Sequence, residues 1–418
     1  MQSSDRTLSR PQSMTAWQKL CRATLLKVLQ RLPQGYLVLA EEGTEVERFG
    51  SSADTLRAEI NVLSAEFYPR LLLGGSIGAG ETFADELWDT PDLTAVIRLF
   101  ARNMTLLDHL ESQLSWLMAP VNWCTQWRRR NSTVQAKKNI AAHYDLGNTL
   151  YRRFLDDSMM YSAAIYPSPE ADLAQAQQNK LDIICRKLDL KPHDHLMEIG
   201  TGWGALAIHA AKHYGCQVTT TTISEEQYKL AGERVEAEGL TDQITLLKQD
   251  YRRLEGRYNK LVSIEMIEAV GKDFLREFFA KCNTLLTEDG LMLLQSITIN
   301  EQRYDSYSKG MDFIQKYIFP GGFLPCQSVI QQCLKDNTAL VVRDCHDIGY
   351  DYARTLKDWQ RRFVAKQDEL AGLGYDPHFA RLWRFYFSYC EGGFWERTIS
   401  TVQMLMSKPG YRDDIQRI

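Results

Sequence analysis

The sequence predicts an α/β protein, in which a doubly wound parallel sheet with helical insertions follows a small α+β unit at the N-terminus. Three observations predict it. Leu196-Met-Glu-Ile leads into Gly-Thr-Gly-Trp-Gly204 and then into an apolar-periodic stretch over 205–213, which reads as strand, glycine turn and helix. Four further short strand candidates follow at 218–223, 244–247, 261–264 and 290–299, with helical stretches between them. Conspicuous polar residues fall at the ends of these runs: Glu198, Asp250, Glu268 and Gln295. In a parallel sheet the strand ends form one ligand edge.

Composition narrows the class. The chain has 418 residues, a 44% hydrophobic and 24% charged composition and a formal net charge of -4. Those values suit a folded domain pair and argue against a nucleic-acid binder by bulk charge. Nine cysteines are scattered without a C-x-x-C, so buried free thiols are expected and no metal site is. The N-terminus lacks a signal-like apolar run, and no stretch reaches about 18 uninterrupted apolar residues. A reducing cytoplasm is the expected compartment.

In chain order, residues 1–14 are polar and read as disordered. Trp17, Leu20, Cys21, Leu25, Val28 and Leu29 share a face, which predicts a helix over 15–31. Strands are expected at 36–40, 46–49 and 58–63, with Glu42-Gly43 as a hairpin turn. A helix over 67–73, a glycine-rich connecting loop over 74–80 and a helix over 92–110 complete the unit, which closes near 120. Residues 121–140 read as a linker, part of a stretch from Trp116 that mixes Trp123 and Trp127 with Arg128, Arg129, Arg130, Lys137 and Lys138. Aromatics beside basic residues suit a lipid-headgroup surface as well as a solvated linker. The main domain is expected over 141–405, with further helices at 347–363 and 377–400 and a tail over 406–418.

The turn at 200–204 follows E-x-G-x-G-x-G, which is neither the dinucleotide nor the P-loop pattern, and no lysine follows it to hold a phosphate. At the end of the second strand, where many nucleotide-binding domains place an acid, stands Thr221-Thr-Ile-Ser224, with Ser224 suited to cap the next helix. The aromatic segment 312–325 ends in Phe-Pro-Gly-Gly and makes a poor surface loop but a good wall for an apolar ligand, with Tyr317 and Phe319 as candidate substrate contacts.

These motifs together resemble the cyclopropane fatty acid synthase family, which includes the mycolic acid cyclopropane synthases: HYDLGN at 143–148, MMYS at 159–162, EIGTGWG at 198–204, TISEEQ at 222–227, IEAVG at 267–271, DFIQKYIFPGG at 312–322 and GYDYARTL at 349–356. The resemblance implies a class I, Rossmann-like methyltransferase fold. The activity it implies is transfer of a methylene from S-adenosylmethionine to the double bond of an unsaturated phospholipid acyl chain. It implies that Tyr161 and Ser162 lie near the methionine part of the cofactor, with Glu198, Gly200 and Gly202 around it. Thr222 and Gln227 would take the ribose, and Asp250 would flank the adenine. Family members use a bound bicarbonate as base, held by a cysteine, a glutamate, a histidine, an isoleucine and a tyrosine. Glu268, Ile297 and Tyr352 match; Ala163 and Gln295 stand at the cysteine and histidine positions. The resemblance therefore leaves two routes, a weakly held bicarbonate or Glu268 as the base, the latter requiring its pKa to rise by burial. The departures also open a second outcome, a methyl-branched or methylene chain without ring closure. The partner implied is membrane phospholipid, met from the cytoplasmic face, with the N-terminal unit open to a lipid or a second copy of the chain. A non-catalytic lipid-binding protein and a small-molecule N-methyltransferase are the alternatives of other classes.

Overall fold

The computed structural model describes residues 14–104 and 147–415. The chain divides into two compact units, Met1–Met118 and Ala119–Ile418.

In the first unit, α1 (Ala16–Leu29) starts at a capping box in which Thr15 and Gln18 satisfy each other's backbone N–H. It buries Cys21, Leu25 and Leu29, whereas Trp17 and Leu20, expected on the same face, are exposed. Strands β1 (Tyr36–Glu41) and β2 (Thr44–Gly50) form the expected hairpin. Its two turn residues, Glu42 and Gly43, both take positive φ (49° and 80°), as a type I′ turn requires. With β3 (Arg57–Val62) and β4 (Trp88–Asp89) they make a sheet of order β2-β1-β3-β4. The glycine-rich stretch 74–80 is not a loop. It lies inside α2 (Phe67–Ala84), which kinks where Gly75 takes φ 51°, ψ -131°. Gly78 brings the two arms together, since a Cβ there would stand 2.1 Å from the Arg70 carbonyl oxygen. α3 (Leu93–Arg102) begins at the Asp92 cap and closes at Arg102; the remainder of the helix expected to Leu110 lies outside the described residues from 105 on. The basic aromatic stretch 116–138, the first four residues of HYDLGN and the polar residues 1–13 also lie outside them.

The second unit opens with α4 (Asn148–Phe154) and α5 (Leu173–Lys187). Then come β5 (His195–Ile199), α6 (Ala205–Tyr214), β6 (Gln217–Thr222), α7 (Glu225–Ala237), β7 (Ile244–Lys248), β8 (Tyr258–Ile264), α8 (Leu275–Leu285) and β9 (Leu286–Ile299). Among the described residues they belong to a seven-stranded sheet of order β10-β11-β9-β8-β5-β6-β7. The five strands read from the sequence are its parallel part. Two strands were not expected. β11 (Ile399–Ser407) runs antiparallel to β9, and β10 (Val341–Asp347) forms the edge beside it. Met406 and Ser407, placed in the tail by sequence, pair with Met292 and Leu291. After β9 come α9 (Glu301–Tyr307), α10 (Gln327–Asn337), α11 (Gly349–Ala365), α12 (Gln367–Gly372) and α13 (Pro377–Trp395).

Alternation along the strands builds two cores. Met197, Leu261, Met292 and Met404 face α8 and α10, while Leu196, Val262, Leu293 and Leu405 face α5 and α6. Strand order reverses between β5 and β8, so the crevice beyond their C-terminal ends is where such a sheet binds its ligand.

Candidate active site

The glycine turn after β5 is held by backbone bonds from Gly200 N and Thr201 N to the Thr221 carbonyl of β6 (3.1 and 3.0 Å). Gly200, Gly202 and Gly204 have φ 105°, 53° and 88°. A Cβ at Gly200 would meet Met266 at 3.2 Å, whereas one at Gly202 would meet nothing within 4 Å. The turn thus presents backbone to an open cradle that a side chain would fill. Glu198 is buried beneath it, accepting a hydrogen bond from Thr220 Oγ1 (2.5 Å). Burial pushes its carboxyl up to about 8, against the pull of that bond. At the end of β6, Thr222 Oγ1 donates to Gln227 Oε1 (2.8 Å) and accepts from Ser224 N (3.1 Å), and Ser224 caps α7. Asp250, after β7, is gripped by Arg252 through Nε and Nη2 (2.9 Å each); burial raises its pKa, and these bonds outweigh burial and hold it below the usual carboxylate range. Backbone donors, hydroxyls and carboxylates of Glu198, Gly200, Gly202, Thr222, Gln227 and Asp250 thus gather at one sheet edge.

Residues 159–164 form an irregular segment bonded to α5 and α11. Gln177 Nε2 donates to the Ser162 carbonyl (3.1 Å), the fully buried Lys180 donates to Ser162 Oγ (2.7 Å), and Ala164 N donates to Thr355 Oγ1 (3.1 Å). The segment directs Tyr161 into an aromatic group. Its ring lies near-parallel to Phe319 (6.0 Å, 27°) and 5.1 Å from Trp359, and its hydroxyl pairs with that of Tyr386 (2.8 Å). Phe319 closes a π-helical turn, Ile314–Ile318, that Asp312 caps through Gln315 N (2.9 Å). Phe323 N ties the loop back to the Glu268 carbonyl (2.9 Å). Tyr317 packs 5.4 Å from Phe313, which meets Phe385 of α13 at 4.7 Å. The 312–325 segment is therefore an aromatic wall beside Tyr161.

The residues expected around a base site come together, but not on Glu268. Ala163 N (2.9 Å) and Gln295 Nε2 (2.7 Å) donate to Oε1 of Glu265, and the Tyr352 hydroxyl donates to its Oε2 (2.8 Å). Gln403, opposite Gln295 on β11, donates to Gln295 Oε1 (3.0 Å) and so turns the amide nitrogen toward Glu265. Tyr352 is fixed by its ring, stacked 4.5 Å from Phe394. Glu268 and Ile297 form a separate pair. Ile297 N (2.5 Å) and Ser296 Oγ (3.1 Å) donate to Glu268 Oε1, and Oε2 is buried without a hydrogen bond. Ala163, Gln295 and Tyr352, expected around Glu268, thus give their hydrogen bonds to Glu265, and Glu268 stands beside that carboxyl. Glu265 follows directly on β8 and is not among the residues singled out from the sequence.

Charge separates the two carboxyls. Burial, then the neighbouring Glu265, pushes Glu268 up to about 8, so at neutral pH it is mostly the uncharged acid. Burial also raises Glu265, and Gln295, Lys180, the Ala163 N–H and Tyr352 offset part of that rise. Both oxygens of Glu265 accept, as an ionised carboxylate does. Glu265 also carries φ 47°, a left-handed backbone that costs a non-glycine residue on the order of 1–3 kcal/mol. A bicarbonate would need the donors that Glu265 holds, and a second anion against the first would be repelled. The residues present do not fit it.

Among the described residues no cluster of metal-ligating side chains forms, and no helix is long and apolar enough to cross a membrane.

The sequence profile of the mycolic acid cyclopropane synthetase family matches residues 131–404. The chain is 37% identical over 356 residues to the cyclopropane-fatty-acyl-phospholipid synthase of Escherichia coli, covering 84% of this chain and 88% of that one. It is 36% identical over 343 residues to the tuberculostearic acid methyltransferase UfaA1 of Mycobacterium tuberculosis, covering 80% of each. Among solved structures, it matches the cyclopropane synthase MmaA2 from Mycobacterium tuberculosis (TM-score 0.61, 26% identity) and the mycolic acid cyclopropane synthase CmaA1 complexed with SAH and CTAB (TM-score 0.61, 28% identity). Each match covers 65% of this chain and 98% of the other. The chain belongs to the mycolic acid cyclopropane synthetase family, and its second unit is that of a class I S-adenosylmethionine-dependent C-methyltransferase.

Proposed function

We propose that the protein transfers a one-carbon unit from S-adenosylmethionine to the double bond of an unsaturated acyl chain in a membrane phospholipid, forming a cyclopropane ring. The observation that carries this reading is a buried carboxylate, Glu265, set beside the aromatic wall of Tyr161 and Phe319 at the sheet edge that holds the cofactor cradle. When bound, S-adenosylmethionine supplies a methyl group on a positively charged sulfur. An alkene is a weak nucleophile, so the chain's own contribution is positioning in a dry site. Gly200, Gly202, Thr222 and Gln227 fix the cofactor. Tyr161 with Phe319 and Trp359 forms an aromatic cluster that can stabilise developing cationic charge through its π electrons. Attack leaves a carbocation on the acyl chain, and a base must remove a proton from the new methyl for the ring to close.

A second reading, methyl transfer without ring closure, is favoured by the departures at Ala163 and Gln295 and by similarity to the tuberculostearic acid methyltransferase. Incubating the protein with methyl-deuterated cofactor and vesicles of a monounsaturated phospholipid decides between them. Ring closure predicts loss of one deuteron from the transferred methyl and a cyclopropane NMR signal. An olefinic signal, or a fully deuterated methyl, supports the second reading. Binding of cofactor without any transfer would favour a non-catalytic lipid-binding protein.

The substrate lies in a bilayer, so the enzyme works at the membrane surface, with the basic aromatic stretch 116–138 as its proposed contact. On this reading it acts from the cytoplasmic face.

A further inference from the structure

We infer that Glu265 is a built-in replacement for the dissolved anion: its carboxylate is the catalytic base, and the enzyme works without bicarbonate. This deepens the proposed reading and rests on it. Four observations carry it. The residues matching the family's anion ligands at Ala163, Gln295 and Tyr352 all donate to the Glu265 carboxylate. The position of Gln295 is set from behind by Gln403. The buried Lys180, held on Ser162, supplies a balancing positive charge from the same side. Finally, Glu265 keeps a left-handed backbone that glycine would adopt freely, so the carboxylate is retained against a local conformational cost.

The step balances as follows. The alkene π pair forms the first C–C bond to the methyl carbon, and the methyl–sulfur pair stays on sulfur, leaving a neutral thioether and a carbocation on the chain. A C–H pair of the new methyl then closes the ring, and its proton passes to a Glu265 oxygen. The proton leaves to solvent on product release, restoring the carboxylate. No oxidant or reductant enters. Glu268, the uncharged neighbour, is assigned the role of a positioning residue: it receives Ile297 N and Ser296 Oγ and holds the 323 loop through its backbone.

The test uses the full chain with phospholipid vesicles in buffer stripped of carbon dioxide. Wild-type turnover should be unchanged by added bicarbonate. Glu265→Gln should lose about 10²-fold or more, the scale of losing a positioned proton acceptor, with unaltered calorimetric binding of S-adenosylhomocysteine as proof of an intact fold. Glu265→Gly, whose backbone suits the left-handed angle, should be inert in stripped buffer and regain at least tenfold on adding bicarbonate, which then enters the vacated position. Glu268→Gln, an isostere of the neutral acid, should stay within about tenfold of wild type while its pH profile keeps the wild-type acid limb. Wild-type turnover that rises several-fold with bicarbonate overturns the inference, as does a fully active Glu265→Gln or a Glu265→Gly that bicarbonate leaves inert. A wild-type protein that binds cofactor but transfers nothing to acyl chains overturns the proposed function itself, and this inference with it.

Discussion

Gly202 shows how much one residue decides at this site. Its φ of 53° and the empty space facing it make a side chain costly twice, once in backbone strain and once by filling the cradle. Gly202→Val should weaken binding of S-adenosylhomocysteine by at least roughly tenfold, which corresponds to about 1.4 kcal/mol, as titration calorimetry would read. Undiminished affinity would remove the turn from the cofactor site. Glu268 gives a prediction with a definite sign. Its carboxyl lies near 8 in the fold against an ordinary 4.5, so folding favours its protonated form. That contribution is fully present below pH 4.5 and is lost as pH rises through 8. Thermal unfolding of Glu268→Gln should therefore gain on wild type steadily between those limits. A difference independent of pH would contradict the burial assigned to this carboxyl.

Elements divide into those the residue pattern announces and those it hides. The five parallel strands were legible because strands buried on both faces are short runs of apolar or β-branched residues between helices. β10 was not, since Val341-Val-Arg-Asp-Cys-His-Asp347 is an edge strand with charges along it. β11 was hidden because it starts only a few residues after α13 ends. Missing β11 also hid Gln403, which orients Gln295. At the site, the cofactor turn and the Ala163, Gln295 and Tyr352 set could be named from motifs. Their shared partner could not, because Glu265 differs from Glu268 only in backbone angle and in what converges on it, and neither is written in spacing. Its one signal was an acid at the C-terminal end of a parallel strand, the same signal that marked Glu198. The glycines of α2 misled for a related reason, since glycine permits close packing as readily as it permits a loop. Gly78→Ala should destabilise the first unit, with a lowered unfolding temperature, because its Cβ would collide with the Arg70 carbonyl. Gly74→Ala, with nothing nearby, should be neutral or stabilise by about 0.5–1 kcal/mol. Equal effects would mean the kinked helix does not pack as described.

For the whole molecule, the proposed chemistry would bring an acyl chain from the bilayer to the aromatic group of Tyr161 and Phe319. A net charge of -4 opposes an anionic surface, and the proposed contact is therefore the local basic stretch 116–138. Replacing Arg128, Arg129 and Arg130 with glutamine should weaken co-sedimentation with anionic vesicles by roughly 1 kcal/mol per charge. Binding that ignores the substitution would move the membrane contact elsewhere. The most direct measurement of the central claim is the lipid product made in a host lacking its own synthase, compared between wild type and Glu265→Gln. The account predicts cyclopropane resonances and a one-methylene mass gain in membrane phospholipids for wild type, and their loss in the variant. Unmodified lipids in the wild-type host, or equal product from both proteins, would contradict it.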